Sequence, residues 1–192
     1  MGREFELKFR ATEAQQQALR EHFDNFVTIR METTYFDTPA GELSDRHVTL
    51  RLRKENDTCI CTLKTPLPDG SRGEWECQAE DIGRGLENLL TQGAPEELCH
   101  LALAGVQPVC GAKFTRLATK VSTGEGFAEL ALDKGILLGG GRQLPLYEVE
   151  VEHKEGPDEA TVTLAKLLAT RYGLEAEGRS KFRRALDLAK GE

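Results

Sequence analysis

The chain repeats a two-residue alternation of charged and apolar side chains in nearly every extended segment, and this narrows its possible folds more than any other feature. In Glu4-Phe5-Glu6-Leu7-Lys8-Phe9 the charges hold one parity and the apolar residues the other. A strand sends residues i, i+2 and i+4 to the same side, so this ribbon has one ionic face and one apolar face. Val48–Arg53 repeats the pattern with Arg51 and Arg53, and Thr58–Lys64 puts Ile60, Thr62 and Lys64 together. Arg72–Cys77 sets Glu74 and Glu76 on either side of Trp75. Pro108–Ser122 carries Lys113 and Arg116, and Gly126–Asp133 carries Glu129 and Asp133 on one parity. Leu146–Glu152 is the plainest alternation, with Glu148, Glu150 and Glu152. Turn sequences such as Pro66-Leu-Pro-Asp-Gly70 and Gly139-Gly-Gly141 separate these ribbons, which reads as an antiparallel sheet.

Helical periodicity fills the gaps. Thr12 followed by Gln15 is a capping-box signature for a helix from Glu13 to Phe26. A helical section from Ile82 to Gly105 is interrupted at Gly93-Ala-Pro95. Asp158 or Thr161 starts a helix that runs to Tyr172 and stops at Gly173, and a last helix after Gly178 covers Phe182 to Ala189. These amphipathic helices need an apolar surface, and the apolar parity of the strands supplies it. The ionic parity is then left outside that core. A sheet rolled on itself encloses such a face, and about eight strands suffice to hold a cavity.

Enclosed charges of one sign are prohibitively costly, so both signs must find partners. Lys8, Arg51, Arg53, Lys64 and Arg116 together call for a polyanion. Glu4, Glu6, Glu74, Glu76, Asp133, Glu148, Glu150 and Glu152 call for a hard divalent cation, Mg²⁺ or Mn²⁺, held through oxygen. A polyphosphate chelated to such an ion meets both demands.

The length of 192 residues fits a single domain over 1–192. A net charge of −7 argues against general nucleic-acid binding, which needs a basic surface. No run approaches ~20 apolar residues, so no membrane span is expected, and the charged N-terminus lacks a secretory core. The five cysteines are odd in number and lack a C-x-x-C pair, which points to a reducing cytoplasm rather than a disulfide framework. His22, His47, His100 and His153 have neither triad-like nor metal-like spacing and read as surface or turn residues.

Glu4-x-Glu6-x-Lys8 resembles the E-x-E-x-K signature of the CYTH superfamily, the triphosphate tunnel metalloenzymes. The likeness continues in order through Arg51-x-Arg53, Lys64, Glu74-x-Glu76, Arg116, Asp133, Glu148-x-Glu150-x-Glu152 and Ser180-Lys181. It implies an α+β fold, a closed eight-stranded antiparallel β-barrel or tunnel with flanking helices, binding triphosphate and divalent metal. On that resemblance Lys8, Arg51, Arg53, Lys64, Arg116 and Lys181 hold phosphate oxygens. Asp133, Glu148, Glu150 and Glu152 are metal ligands, with Glu4 and Glu6 holding a second ion or orienting the attacking water. Glu74 and Glu76 are supporting carboxylates. Many relatives carry a base two positions before Arg116, where this chain has Phe114, and Lys113 has the wrong parity to replace it.

Such relatives include inorganic, thiamine and RNA triphosphatases and class IV adenylate cyclases. The ionic parity shows no aromatic cluster to stack a base or a thiazole ring, so the expected reaction is hydrolysis of inorganic triphosphate to pyrophosphate and phosphate. A cyclase, a thiamine or nucleoside triphosphatase, and a non-catalytic polyphosphate-binding module are the alternatives. The expected partner is the small-molecule substrate, with neither nucleic acid nor membrane, and a homodimer is left open.

Overall fold

A computed structural model describes residues 2–192. Among them are ten strands: β1 (Gly2–Glu4), β2 (Glu6–Arg10), β3 (Val27–Asp37), β4 (Thr49–Glu55), β5 (Thr58–Pro66), β6 (Arg72–Gln78), β7 (Gln107–Ser122), β8 (Phe127–Gly139), β9 (Arg142–Glu155) and β10 (Glu175–Ala176). Six helices join them: α1 (Glu13–His22), α2 (Glu42–Asp45), α3 (Ile82–Thr91), α4 (Glu96–Leu103), α5 (Asp158–Tyr172) and α6 (Lys181–Lys190). All the strands form one antiparallel sheet in the order β1-β6-β5-β4-β3-β7-β8-β9-β2-β10.

The N-terminal ribbon dictates the curl of that sheet. Gly2–Glu4 pairs with β6 near one end of the order, whereas Glu6–Arg10 pairs with β9 near the other. One nine-residue segment reaches both partners only if the sheet bends strongly into a half-barrel. The expected α+β class holds, and the sheet has ten strands curled into a half-barrel where eight were expected. Between β1 and β2 the Phe5 carbonyl accepts from the His153 N–H at 2.8 Å, which carries the β2–β9 pairing one residue further.

The apolar parity packs outward against helices in two cores. Leu50, Leu63 and Trp75 meet Leu86, Leu89 and Cys99 of α3 and α4. Phe9, Leu130, Val149 and Val151 meet Leu19 of α1 and Ala165 and Leu168 of α5. A third core has a different placement. Met31, Tyr35, Ala112, Phe114, Leu137 and Leu146 pack against Phe182, Ala185 and Leu186 of α6. Register puts several of these residues on the ionic side of the sheet: Tyr35 stands opposite Arg51, and Phe114 lies two residues from Arg116. The last helix therefore fills one end of the concave face rather than its outside.

Several boundaries follow local chemistry. Thr12 and Gln15 form the reciprocal capping box, but α1 ends at His22 rather than Phe26. There the chain turns extended at Phe23 and left-handed at Asn25, φ 60°. Gly140 and Gly141, φ 56° and 75°, make the tight turn from β8 to β9, a pair of positive angles that favours glycine. Gly139 beside them lies so close to α6 that an added Cβ would meet Ala185 O and the Ala189 backbone.

Candidate active site

Strand pairing brings most of the charged residues onto one concave surface. Lys8 stands opposite Glu150, Asp133 opposite both Arg116 and Glu148, and Glu152 opposite Glu6 and Glu129. On the other wall Thr62 stands opposite Arg51 and Glu76, and Lys64 opposite Glu74. Glu4, from β1, pairs with Lys64 across the seam left by the N-terminal ribbon. Glu76 is the outlier: it faces the same way but is exposed, and its side chain accepts only from Thr62 Oγ1 at 3.2 Å.

The densest network lies where β7, β8, β9 and α6 converge. The Arg116 guanidinium donates through Nε and Nη2 to the two oxygens of Asp133, both at 2.8 Å, and also pairs with Glu150. Such a two-pronged contact fixes both planes at once. Lys181 Nζ lies 2.8 Å from Asp133 and 2.6 Å from Glu150, and also pairs with Glu148. Arg184, one helical turn on, pairs with the second oxygen of Glu148. Asp133 and Glu148 are fully buried. From the outer side of the sheet Gln16 Nε2 donates to their backbone carbonyls at 2.9 and 3.0 Å, fixing where both side chains start.

Asp133, Glu148 and Glu150 each offer an oxygen within 4.8 Å of the others, a spacing that fits a metal ion. The Lys181 ammonium sits among the same oxygens and meets their charge. Burial works to raise Glu150, but Lys181 and Arg116 outweigh it and hold the carboxyl well below its ordinary range. The same carboxylates overcome burial at Lys181 and push its ammonium upward.

Elsewhere on the surface burial works against charges of both signs. Burial, aided by Arg51, pushes the Arg53 guanidinium down to about 10. Arg53 is 5% exposed, donates to Thr33 Oγ1 at 2.9 Å, and comes no nearer to a carboxylate than 3.7 Å, at Glu55. Arg51 reaches Glu74 only at 3.9 Å, and its buried Nε has no hydrogen-bond partner among the described residues. Opposite in sign, burial pushes Glu152 up to about 7 despite Lys154 at 2.7 Å, with Glu6 and Glu4 adding like charge. Burial and then Glu150 raise Glu6 as well, although Lys8 lies 3.1 Å away. Glu4 differs: Lys64 and Arg51 overcome its burial and lower it.

Phe114, the apolar residue where a base is common, carries three cations around its ring. Arg53, Arg116 and Lys181 lie 5.7, 5.9 and 5.4 Å from its centroid, within cation–π range. Sequence reading missed Arg184, Thr33 and Gln16. Arg184 was recoverable, because residues three apart share a helix face with Lys181. Gln16 was not, since nothing in α1 marks which carbonyls it will meet.

Comparison with known proteins agrees with this geometry. Residues 2–186 match the CYTH domain family. An inorganic triphosphatase of Haemophilus influenzae is 29% identical over 127 residues, covering 64% of this chain and 36% of the relative, so the chain spans about a third of that protein. Among solved structures, a Hippeastrum protein described as having a dominant triphosphatase activity aligns over 100% of this chain and 97% of its own. Its TM-score is 0.69 at 22% identity. A Pyrococcus horikoshii protein aligns over 96% of this chain and 99% of its own, with TM-score 0.66 at 24% identity. At these identities the structural likeness establishes the fold.

Proposed function

The chain belongs to the CYTH domain family, and on that premise we propose that its concave ionic face is a tunnel for metal-dependent hydrolysis of inorganic triphosphate to pyrophosphate and phosphate. One observation carries the reading. Arg51 and Arg53, which have no close carboxylate, share one concave surface with Glu6 and Glu152, whose carboxyls burial raises even with Lys8 and Lys154 at 3.1 and 2.7 Å. A bare polyanion relieves only the first and a bare cation only the second. A triphosphate carrying Mg²⁺ or Mn²⁺ relieves both.

Arg51 and Arg53 hold the phosphate oxygens, with Lys8, Lys64 and Arg116 closing around them. Arg53 suits bidentate contacts, and the lysines act as point charges. Lys181 and Arg184 hold Asp133 and Glu148 in place and keep Arg116 aimed at the substrate. The divalent ion would best fit the side of Glu6 and Glu152, near Glu4 and Glu150, because burial raises both carboxyls even with Lys8 and Lys154 beside them. The ion supplies charge neutralisation across the phosphates. Water attacks the terminal phosphorus as the bridging P–O bond breaks, its proton passes to the raised carboxylate of Glu6, and pyrophosphate leaves. The preformed guanidinium array lowers the barrier by meeting charge that spreads over the transferring phosphoryl oxygens.

The test is phosphate release from tripolyphosphate with Mg²⁺ or Mn²⁺ and with a chelator. Metal-dependent release is expected. Cyclic AMP formed from ATP without phosphate release would make the protein a cyclase, and tight binding without turnover would make it a binding module.

A further inference from the structure

The N-terminal ribbon changes partners between Glu4 and Glu6, and one guanidinium ties the outside of that switch. Arg3, on β1, lies opposite Gly73 of β6 and so follows that wall of the sheet. Its Nε donates to Asp69 Oδ2 and to Ser71 Oγ, both at 3.1 Å, in the turn that leads into β6. Its two Nη atoms donate to the two oxygens of Asp158 at 3.1 and 2.7 Å. Asp158 opens α5, just after β9 ends at Glu155. One side chain therefore joins the turn before β6 to the turn after β9.

Each end of this bridge is held in turn. The Ser71 N–H and Oγ donate to Asp69 Oδ1 at 3.0 and 2.5 Å, which fixes the carboxylate on its turn. On the far side His153 Nδ1 lies 3.1 Å from the hydroxyl of buried Thr161, and His153 Nε2 lies 3.8 Å from Asp158. The Arg3 guanidinium also stands 5.5 Å from the Phe5 ring centroid, within cation–π range. Isolated surface ion pairs are worth little, but a two-pronged contact within a network holds geometry as well as charge.

The sequence neighbours of these residues give the bridge a role beyond the surface. Arg3 precedes Glu4, Phe5 separates Glu4 from Glu6, and His153 follows Glu152. The Phe5 carbonyl accepts from the His153 N–H at 2.8 Å. Alternate residues of an extended chain face opposite ways, so the bridge lies outside, directly behind the carboxylates within. Glu4 is carried on the β6 wall, whereas Glu6 and Glu152 stand opposite each other on the β9 wall. Their spacing is set where the ribbon crosses from one wall to the other, and Arg3 spans that crossing.

We propose that Arg3 is a positioning residue for divalent-cation binding, holding Glu4 in place against Glu6 and Glu152 through its contacts with Asp69 and Asp158. The proposal rests on the ion seat of the triphosphatase reading above and adds to it three residues from the outer surface. Arg3, Asp69 and Asp158 touch neither ion nor phosphate. They act as groups behind metal ligands do, by orienting them.

The experiment measures Mn²⁺ binding by electron paramagnetic resonance, without substrate, to wild type, Arg3→Gln, Asp158→Asn and the double variant. Charge alone predicts opposite effects: loss of the cation at Arg3 strengthens Mn²⁺ binding, and loss of the anion at Asp158 weakens it. The bridge predicts that both variants weaken binding, by about tenfold, the lower end of what such supporting groups contribute. The double variant should be no worse than either single one, because the two side chains act as a unit. Tripolyphosphate binding in EDTA should stay unchanged, which a general loosening of the fold would not allow. At saturating Mn²⁺ the kcat of Arg3→Gln should return to the wild-type value. Should Asp158→Asn disturb α5, Asp69→Asn probes the other end of the bridge. Mn²⁺ bound by Arg3→Gln as tightly as by wild type, or more tightly, overturns the proposal. So does a weakening matched by lost tripolyphosphate binding, an additive loss in the double variant, or a wild type that binds no Mn²⁺. A wild type that binds Mn²⁺ yet hydrolyses no tripolyphosphate defeats the triphosphatase reading alone, and the same titrations still judge the bridge.

Discussion

Glu152→Gln should make the metal-free protein more stable at pH 8, although it removes a charge that has an ion-pair partner. The Glu152 carboxyl is raised from the ordinary 4.5 to about 7, chiefly by burial. Each tenfold change in an acid constant is worth about 1.4 kcal/mol, so the full cost of ionising Glu152 in the fold is about 3 kcal/mol. The side chain keeps 21% of its exposure and Lys154 beside it, so solvent screening brings the expected figure to about 1–2 kcal/mol. The sign follows from linkage. Between pH 4.5 and 7 the folded state binds more protons at this site than the unfolded chain, so stability falls as pH rises through that window. Glutamine keeps an oxygen for Lys154 and has no proton to lose. Urea unfolding in EDTA should therefore show the variant ahead of wild type at pH 8 and level with it near pH 4. Added Mg²⁺ with tripolyphosphate should stabilise wild type more than the variant. A variant less stable than wild type at pH 8, or a difference independent of pH, would refute the reasoning that Glu152 is a carboxylate waiting for a cation.

Three further outcomes are expected. Arg53→Ala should cut triphosphate turnover by more than ~10²-fold, the scale of losing a contact to transition-state charge. Circular dichroism should stay native, because the side chain has no close carboxylate to abandon. Gly139→Ala should displace α6 from β8, since the new Cβ meets Ala185 O, and should lower both the unfolding midpoint and the turnover by moving Lys181 off its carboxylates. Leu63→Ala, in the core against α3, should cost about 2–5 kcal/mol in urea unfolding and leave KM for triphosphate unchanged.

Strand content and the ionic surface were legible because a period-two pattern has one meaning wherever one face is buried. Thr58–Lys64 and Leu146–Glu152 lie within observed strands, and in the latter Glu148, Glu150 and Glu152 share one side. The helix breaks at Gly93-Ala-Pro95 and Gly173 were legible for the same reason, since each carries a local backbone signal. The position of α6 was not. Its apolar stripe looks like those of the outer helices, and only the glycines at 139 and 140, which let it approach β8 closely, distinguish its seat. Which bases reach which carboxylate was equally hidden. Glu148 and Glu152 share a parity and a strand, yet α6 delivers Lys181 and Arg184 to Glu148, while Glu152 has Lys154 alone. Such a distinction depends on contacts far apart in sequence.

The central claim is that one surface holds a polyphosphate and a divalent ion together, the ion on the side of Glu6 and Glu152. Anomalous diffraction from crystals grown with Mn²⁺ and tripolyphosphate locates both directly. The account predicts a manganese peak beside Glu6 and Glu152, with phosphate density running past Arg51 and Arg53. Manganese seated among Asp133, Glu148 and Glu150 with Lys181 expelled, or phosphates bound away from Arg51 and Arg53, would contradict it.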